Sequence, residues 1–321
     1  MQNRIGVIGT FIRDTIVTLD GRTVESIGGL YHTLAYLAYL TDGTTVLQPL
    51  CHIGEDFYPV VREGFAGFGS KIRFTSLHRV ALPNTQVKLI YRTAETRDEV
   101  TSPPMPPLTA AEIRELAGCD VVLVNLITGE DIQFEALPAL RTLPNQPLIY
   151  LDLHSLALGR DAEGRRFYRE IPHGRVWLAS CDILQMNEYE AATLAGWPVP
   201  LGATPATQGR FTLNELMDFG TQLVKEGLLA CHITLGSAGS LVIYRNNDSV
   251  CSEHCLPYPI SRAVDIIGCG DAFGAAFLAH LIKTNDLAAA TRFANKIAAL
   301  NCSFMGSLTP QAYRHFIEPY L

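Results

Sequence analysis

A glycine-rich segment in the last quarter of the chain has the residue types of an anion-binding turn. Gly268 and Gly270 bracket the turn, and an apolar helical pattern begins directly after them. Successive backbone N–H groups at such a turn point at one spot, and the dipole of the following helix adds to them. The sequence therefore predicts a site for an anion that gains charge during a reaction.

Asp271 places a carboxylate beside that anion site. Two negative groups repel each other, so this placement is unfavourable unless the carboxylate has a chemical role. A general base that removes a proton from a hydroxyl while a phosphoryl group arrives would explain it. On the spacing alone, a glycine turn with Asp271 as a helix cap explains the segment about equally well.

Asn187 and Glu190 follow a predicted strand at residues 183–185. Their i, i+3 spacing puts both side chains on one face of a helix. A carboxylate and an amide could hold a hydrated Mg²⁺ ion, which prefers oxygen ligands and keeps its waters. The same spacing is that of a capping box, with Asn187 as the N-cap, and the local pattern alone favours this structural interpretation.

Two further segments bring glycine close to a possible ligand. Thr234, Gly236 and Gly239 end one predicted strand and begin the next, and such a turn could approach a nucleotide phosphate through backbone N–H groups. Gly28-Gly29 opens a predicted helix, where the absence of side chains permits close approach of the backbone. Asp14 follows the first strand, a position at which an exposed aspartate is also common. Each segment taken alone is a weak signal.

Several well-known catalytic motifs are absent from the sequence. There is no G-x-x-x-x-G-K-[ST] segment, and no G-x-G-x-x-G follows the first strand. These absences exclude a Walker-type NTPase and argue against an NAD-dependent oxidoreductase. The sequence also has no G-x-S-x-G and no H-E-x-x-H segment, so a nucleophile-elbow hydrolase and a zincin protease are excluded.

The composition is that of an acidic globular protein. The chain has 321 residues, with 25 Lys+Arg and 32 Asp+Glu, which gives a net charge of −7. No tract concentrates the basic residues, so we expect no nucleic acid and no membrane surface as a partner. Charged residues follow the apolar segment at residues 5–12 without a cleavage site, so a buried strand is favoured over a signal peptide. We therefore expect a cytoplasmic protein.

The cysteines are scattered, and no C-x-x-C occurs. We expect them to be buried small hydrophobic residues in a reducing compartment. Residues 251–255 contain two of them with a histidine and could suggest a metal site, but no second ligand pair exists elsewhere. The eight residues are Cys51, Cys119, Cys181, Cys231, Cys251, Cys255, Cys269 and Cys302.

Short apolar segments alternate with longer helical patterns along most of the chain. This alternation predicts a mostly parallel sheet that is covered by helices on both faces. Residues 13–27 form a predicted hairpin around Asp20-Gly21, and residues 85–102 form a second pair of alternating segments. Because neither fits the β–α alternation, we expect them to form a small antiparallel lid.

Taken together, these segments resemble the PfkB (ribokinase-like) family of carbohydrate and nucleoside kinases. Five motifs occur in the order of the family, and they extend along nearly the whole chain. They are Gly28-Gly29 with Ala35, residues 52–56, residues 181–196 around Asn187 and Glu190, Thr234-Leu-Gly236 with Gly239, and residues 265–271. The last of these is similar to the D-T-x-G-A-G-D signature of the family and is highly specific.

The resemblance implies a fold and a set of roles. The fold would be a single three-layer α/β/α domain over residues 1–321, with a small β lid at residues 13–27 and 85–102. The reaction would transfer the γ-phosphoryl group of ATP, with Mg²⁺, to a hydroxymethyl group of a sugar or nucleoside. Asp271 would be the catalytic base, and its amide would form the anion hole together with Gly268, Cys269 and Gly270. Asn187 and Glu190 would bind Mg²⁺ through water, and the nucleotide site would be lined by Thr234, Gly236, Gly239 and Asn295. The acceptor would be bound by Asp14, Gly28, Gly29 and Thr33.

Four positions depart from the family pattern, and one of them, Ala276 in place of a frequent Gly, touches no chemistry directly. Thr33 stands where the glycine-pair signature usually has Asn, His154 stands in a segment where many members have Asp-x-Asn, and Cys269 replaces the usual Ala. The first two lie on the acceptor side, so the sequence does not name the acceptor. They also motivate an alternative, a nucleotide- or sugar-binding regulatory protein that has lost turnover. The resemblance further implies a possible homodimer through the lid.

Overall fold

The strands and helices of the chain alternate as the sequence predicts over most of its length. The computed structural model describes residues 3–93, 97–199 and 211–321. The strands are β1 Arg4–Ile8, β2 Phe11–Val17, β3 Thr23–Gly29, β4 Val46–Gly54, β5 Leu77–Val80, β6 Gln86–Tyr91, β7 Arg97–Thr101, β8 Val121–Asn125, β9 Leu148–Asp152, β10 Leu158–Arg160, β11 Arg166–Tyr168, β12 Ile183–Asn187, β13 Ala230–Thr234, β14 Ser240–Asn246 and β15 Ser249–Cys255. The helices are α1 Leu30–Leu40, α2 Tyr58–Gly64, α3 Ala110–Ile113, α4 Pro138–Arg141, α5 Gly174–Ala179, α6 Glu188–Leu194, α7 Leu213–Glu226, α8 Cys269–Thr284, α9 Leu287–Asn301 and α10 Pro310–Ala312.

Nine strands form the large sheet in the order β15-β14-β13-β12-β9-β8-β1-β4-β5. The pairs from β13 to β5 are parallel, and β14 and β15 add an antiparallel edge. Strand β8 is buried at every residue, as expected for a central parallel strand with both faces covered. The predicted mostly parallel sheet is confirmed.

Helices cover both faces of this sheet and give the three layers that the resemblance implies. On one face, α1, α2, α8 and α9 enclose one buried apolar cluster. On the other face, α3, α4, α5, α6 and α7 enclose a second cluster. The predicted three-layer α/β/α architecture is confirmed. None of the helices within the described ranges combines the length and the apolar character needed to cross a bilayer.

A second sheet contains four strands in the order β3-β2-β6-β7. It contains the two predicted antiparallel hairpins, but β2 pairs with β6 in parallel. Ile16 and Leu89 of this sheet form a buried cluster with Ile267, which lies in the segment just before α8. The sheet therefore packs directly on the predicted anion-binding turn. Of the predicted lid, residues 94–96 lie outside the described residues.

A histidine in the middle of β13 shows how tightly the core around the site is packed. His232 is fully buried, and neither ring nitrogen has a hydrogen-bond partner among the described residues. Burial lowers the pKa of His232 to about 3, so the ring is neutral. The rings of Phe277 and Tyr150 meet it edge-on, with centroids 4.3 Å and 6.3 Å away. The neutral imidazole therefore acts as an aromatic packing residue between the sheet and α8.

We expect Phe277→Ala to lower the free energy of unfolding by about 3–5 kcal/mol, because the cavity beside His232 and Tyr150 cannot close fully. Val60→Ala is the control, since Val60 is 40% exposed and its truncation should change stability by less than about 0.5 kcal/mol. Urea denaturation followed by circular dichroism measures both values. Equal effects of the two substitutions would contradict the packing described for α8.

Candidate functional site

Four polar residues end four neighbouring parallel strands of the large sheet. Asn125 ends β8, Asp152 ends β9, Asn187 ends β12 and Thr234 ends β13. The carboxyl ends of parallel strands meet at one edge of a sheet, and ligands of open α/β folds bind at that edge. The candidate site is therefore a row of side chains at this edge.

The turn before α8 has the geometry of an anion site. Gly268 has φ 73° and ψ 7°, a left-handed conformation that favours glycine. A side chain at this position would also meet His32, since a Cβ would lie 2.7 Å from His32 Nδ1. The first intrahelical hydrogen bond runs from Ala272 N to Gly268 O at 2.8 Å. The amides of Cys269, Gly270 and Asp271 have no intrahelical acceptor. Cys269 N donates to Ile266 O at 3.4 Å, whereas the amides of Gly270 and Asp271 remain available to a ligand.

The carboxylate of Asp271 lies in the first turn of α8, where it is only 7% exposed. Thr33 Oγ1 donates to its Oδ1 at 3.2 Å, and Asn125 Nδ2 donates to the same oxygen. Asn125 Nδ2 also donates to Thr33 Oγ1 at 3.1 Å. Among the described residues, the hydrogen bonds to this carboxylate fall on Oδ1, so Oδ2 is left to face a ligand.

A second buried carboxyl group stands close to the first. Asp152 accepts from Gln185 Nε2 at 2.8 Å, and the same amide donates to Gly270 O at 3.1 Å. Burial raises the pKa of Asp152 well above its usual range, and the negative charges of Glu190 and Asp271 raise it further. Gln185 thus links the second carboxyl group to the anion-binding turn.

Asn187 and Glu190 form the capping box that the spacing favours. Asn187 Oδ1 accepts from the amides of Tyr189 and Glu190, both at 2.9 Å, and Glu190 Oε2 accepts from Asn187 N at 2.8 Å. Burial raises the pKa of Glu190 to about 8. No group of three or more His, Cys, Asp or Glu side chains that could hold a metal ion directly is present in the described part of the chain.

The glycine pair lies against the buried side chain of Asp14. A Cβ at Gly28 would overlap the Asp14 carboxylate, and a Cβ at Gly29, which has φ 60°, would overlap Thr10 O. Only glycine fits at both positions. The pair directly precedes α1, and Thr33 of this helix donates a hydrogen bond to Asp271. The structure thus connects the predicted acceptor residues to the carboxylate of α8.

The predicted nucleotide residues lie at the end of β13 and beside it. Gly236 and Gly239 have φ 55° and 91°, and Leu235 N donates to Gly239 O at 2.8 Å to close the turn. A Cβ at Gly236 would contact nothing within 4 Å in the described part of the chain, so the turn is open there on that side. Asn295 Nδ2 donates to Cys255 O at 2.9 Å, which ties α9 to the end of β15.

Four residues of this region were not among the candidate site residues from the sequence, namely Asn125, Asp152, Gln185 and His32. Asn125 could have been found, because it is a polar residue at the end of an entirely apolar strand at the ligand-binding edge of the sheet. Gln185 and His32 carry no such signal. His154, the residue that departs from the family pattern, follows Asp152 with φ 36° and contacts Ser155 Oγ through Nδ1 at 2.8 Å.

Comparisons with known proteins agree with the resemblance seen in the motifs. The model of the pfkB family carbohydrate kinases matches residues 172–312. The deoxyribokinase of Salmonella typhi is 28% identical over 131 residues, which are 41% of this chain and 38% of that protein. The match thus spans about two fifths of the length of this curated relative. The resemblance to the PfkB family is confirmed.

Solved structures with the same fold match almost the full length of the chain. The ribokinase of Arabidopsis thaliana complexed with ribose and ATP has a TM-score of 0.72 at 19% identity, with 96% of this chain and 95% of that chain covered. A pyrophosphate-dependent kinase in the ribokinase family, complexed with a pyrophosphate analog and myo-inositol, has a TM-score of 0.72 at 17% identity, with 97% and 99% covered. The chain has the ribokinase fold.

We expect the thermal stability of the wild-type protein to fall relative to Glu190→Gln as the pH rises from about 5 to 8. Glu190 keeps its proton in the folded chain up to about pH 8, but the unfolded chain releases it above about 4.5. The protonated Glu190 side chain contributes its full stability below about pH 4.5, and this contribution is lost as the pH rises through the pKa of the folded state. The relative fall in Tm should be about 2 °C or more, measured by calorimetry without divalent cations.

Glu215 provides the matched control, because it holds the same place in the exposed capping box of α7. Its hydrogen bonds with Thr212 lower its pKa, so its contribution to stability is lost on acidification below pH 5 instead. Glu215→Gln should therefore keep the wild-type pH dependence between pH 5 and 8. Parallel profiles of wild type and Glu190→Gln over that range would disprove the assignment.

Proposed function

We propose that this chain, which resembles the PfkB carbohydrate kinases and has the ribokinase fold, transfers the γ-phosphoryl group of ATP to a hydroxymethyl group of a small sugar or nucleoside. One observation carries the proposal. The buried carboxylate of Asp271 stands in the first turn of α8, next to the amides of the Gly268 turn. A base beside an anion site is the arrangement that phosphoryl transfer to a hydroxyl requires.

In the proposed reaction, Asp271 Oδ2 takes the proton of the acceptor hydroxyl while the oxygen attacks the γ-phosphorus and ADP leaves. Thr33 and Asn125 hold Oδ1, which fixes the plane of the carboxylate and directs Oδ2 towards the acceptor. Hydrogen bonds to a charged group are worth more than those between neutral groups. Asn125 and Thr33 are therefore positioning residues for the base, and Thr33 also lies on the acceptor side.

The amides of residues 268–271, contributed by Gly268, Cys269, Gly270 and Asp271, stabilise the charge that develops on the transferred group. Preorganised donors aimed at such charge supply a large share of the rate enhancement of enzymes. The left-handed Gly268 sets the direction of these amides, and the positive end of the α8 dipole adds to them. This arrangement needs no lysine or arginine, which agrees with the acidic composition of the chain.

The residues present fit a hydrated Mg²⁺ ion. Burial raises the pKa values of Asp152 and Glu190, and the negative charges of Glu190 and Asp271 raise the pKa of Asp152 further. A divalent cation would relieve that repulsion and would neutralise phosphate charge during transfer. Asn187 and Glu190 would hold it through water, because their side chains are engaged in the capping box.

Substrates would occupy the two sides of the anion site. Asp14, Gly28, Gly29 and Thr33 would hold the hydroxyls of the acceptor, and Thr234, Gly236, Gly239 and Asn295 would line the nucleotide site. The related deoxyribokinase and the ribokinase bound to ribose and ATP support a sugar acceptor and ATP as donor. A homodimer through the lid and the lid's identity as a separate subdomain remain predictions.

We expect Asp271→Asn to lower kcat about a hundredfold or more, because the amide cannot accept the hydroxyl proton. Asp248→Asn is the matched control, since Asp248 is exposed in the turn between β14 and β15 and should keep the wild-type rate. A coupled assay with Mg-ATP and a panel of sugars and nucleosides identifies the acceptor and measures both variants. Near wild-type turnover by Asp271→Asn would disprove the mechanism.

The same panel separates the kinase from its alternatives. Turnover with ATP is the expected result. Turnover with inorganic pyrophosphate but not with ATP would show that the phosphoryl donor is pyrophosphate, as in the pyrophosphate-dependent kinase of the ribokinase family. Binding of nucleotide without turnover of any acceptor would instead favour a regulatory binding protein.

We expect Asn125→Ala to lower kcat about ten- to a hundredfold, the value of a hydrogen bond to a charged group. Asn125 contacts the base and not the donor, so the KM for ATP should stay within about twofold. Thermal denaturation should show that the variant remains folded at the assay temperature. A rise in the KM for ATP with unchanged kcat would contradict a positioning role for Asn125.

A further inference from the structure

Two cysteine side chains meet beside the anion-binding turn. Cys269 is the first residue of α8, and Cys302 caps the end of α9. Their Sγ atoms are 3.1 Å apart, although the two residues are separated by 33 positions in the sequence. Both thiols are free, and both residues are partly exposed to solvent. Cys251 is also partly exposed, so the expectation of buried cysteines is wrong at these three positions.

The hydrogen-bonding pattern makes the two thiols unequal. The two sulfur atoms share a hydrogen bond in which either S–H group can be the donor. This contact lowers the pKa of the Cys302 thiol and raises the pKa of the Cys269 thiol. Asn301 Nδ2 also donates to Cys269 Sγ at 3.3 Å. A thiol that is partly exposed and has increased thiolate character is the one that oxidants attack first. Cys269 then lies in position to react with the oxidised sulfur.

Backbone contacts join the same pair to both ends of the anion-binding segment. Cys302 O accepts from Val264 N at 2.6 Å and from Asp265 N at 3.3 Å. Asp265 in turn accepts from Ile267 N at 3.0 Å and from Tyr91 of the small sheet at 2.7 Å. Cys302 therefore holds the beginning of this segment, whereas Cys269 stands at its end. A change at this pair acts on the turn from both sides.

We propose that Cys269 and Cys302 form a reversible disulfide that disables the anion site at the amino end of α8, so that the site binds and transfers phosphate groups only in the reduced protein. The effect on transfer rests on the proposed kinase function. The formation of the disulfide and its effect on ligand binding do not depend on the proposed kinase function.

The oxidation is balanced with a peroxide as the oxidant. The Cys302 thiolate attacks one oxygen of hydrogen peroxide, which forms a sulfenic acid and, after proton uptake, releases one water. The sulfur of Cys269 then attacks the sulfur of Cys302, the S–O bond breaks, and a second water leaves with the thiol proton. Two thiols and one peroxide thus give one disulfide and two waters, and a dithiol reductant reverses the change by exchange.

The disulfide would displace the residue that carries part of the anion site. A disulfide bond is about 2.05 Å long, so the two sulfur atoms must approach by about 1 Å from their present separation. Functional groups must be held to within about 0.5 Å of their productive positions. Because Cys269 is the residue between Gly268 and Gly270, its movement redirects the amides on both sides of it.

The test uses the full chain treated with hydrogen peroxide and then with dithiothreitol. Mass spectrometry of a digest prepared without reductant should show a peptide that links Cys269 to Cys302. The oxidised protein should lose at least tenfold in kcat or in its affinity for Mg-ATP measured by calorimetry, and dithiothreitol should restore both. Absence of the linked peptide, or a linked protein with unchanged affinity and kcat, would overturn the proposal.

Two variants distinguish oxidation of Cys269 and Cys302 from oxidation of other residues. Cys302→Ala should keep the basal activity and become insensitive to peroxide, because the sulfur that reacts first is gone. Cys251→Ala is the matched control, since Cys251 is also partly exposed but lies on β15, and this variant should remain sensitive. Equal sensitivity of Cys302→Ala and wild type would overturn the proposal.

Failure of the proposed function would remain distinguishable from failure of the switch. If no acceptor is phosphorylated, the linked peptide and the Mg-ATP affinity of the reduced and oxidised forms still decide the redox proposal. Absence of Mg-ATP binding in both forms would overturn the proposal that the disulfide controls an anion site.

Discussion

Burial of the Asp271 carboxylate at the amino end of α8 is the constraint on which the rest of the site depends. A buried charge is costly unless hydrogen bonds and favourable dipoles compensate it. Asn125, Thr33 and the positive end of the α8 dipole provide that compensation. Because the donors belong to β8 and α1, the sheet and two helices must pack in one fixed arrangement for these hydrogen bonds to form.

The parallel sheet meets this requirement by ending several strands at one edge. Asn125, Asp152 and Asn187 end neighbouring strands, and the α1–α8 packing brings Thr33 to the same place. The four-stranded sheet closes over this edge through Ile267 and through the hydrogen bond from Tyr91 to Asp265. The anion-binding segment is thereby held by the core below, the small sheet above and Cys302 at its side.

Much of the fold could be predicted from local patterns. Alternating apolar and helical segments specify the large sheet, and the turn at Asp20-Gly21 specifies the hairpin of β2 and β3, where Gly21 has φ 80°. The parallel pairing of β2 with β6 could not be predicted, because neither strand carries a signal for a partner that is distant in sequence. In the folded chain both strands contribute to one buried cluster with Ile267, a contact that exists only in the tertiary structure.

The sequence by itself placed a glycine turn and a carboxylate within the four residues from Gly268 to Asp271, and the proposed chemistry rests on this combination. Local spacing suffices there because one helix start carries all of those groups. Only the tertiary structure brought Asn125 and Thr33 to the carboxylate and Cys302 to Cys269, across separations of up to 238 residues. Contacts of this kind arise when helices pack on a sheet. A local pattern of residue types cannot predict which distant residues will then be in contact.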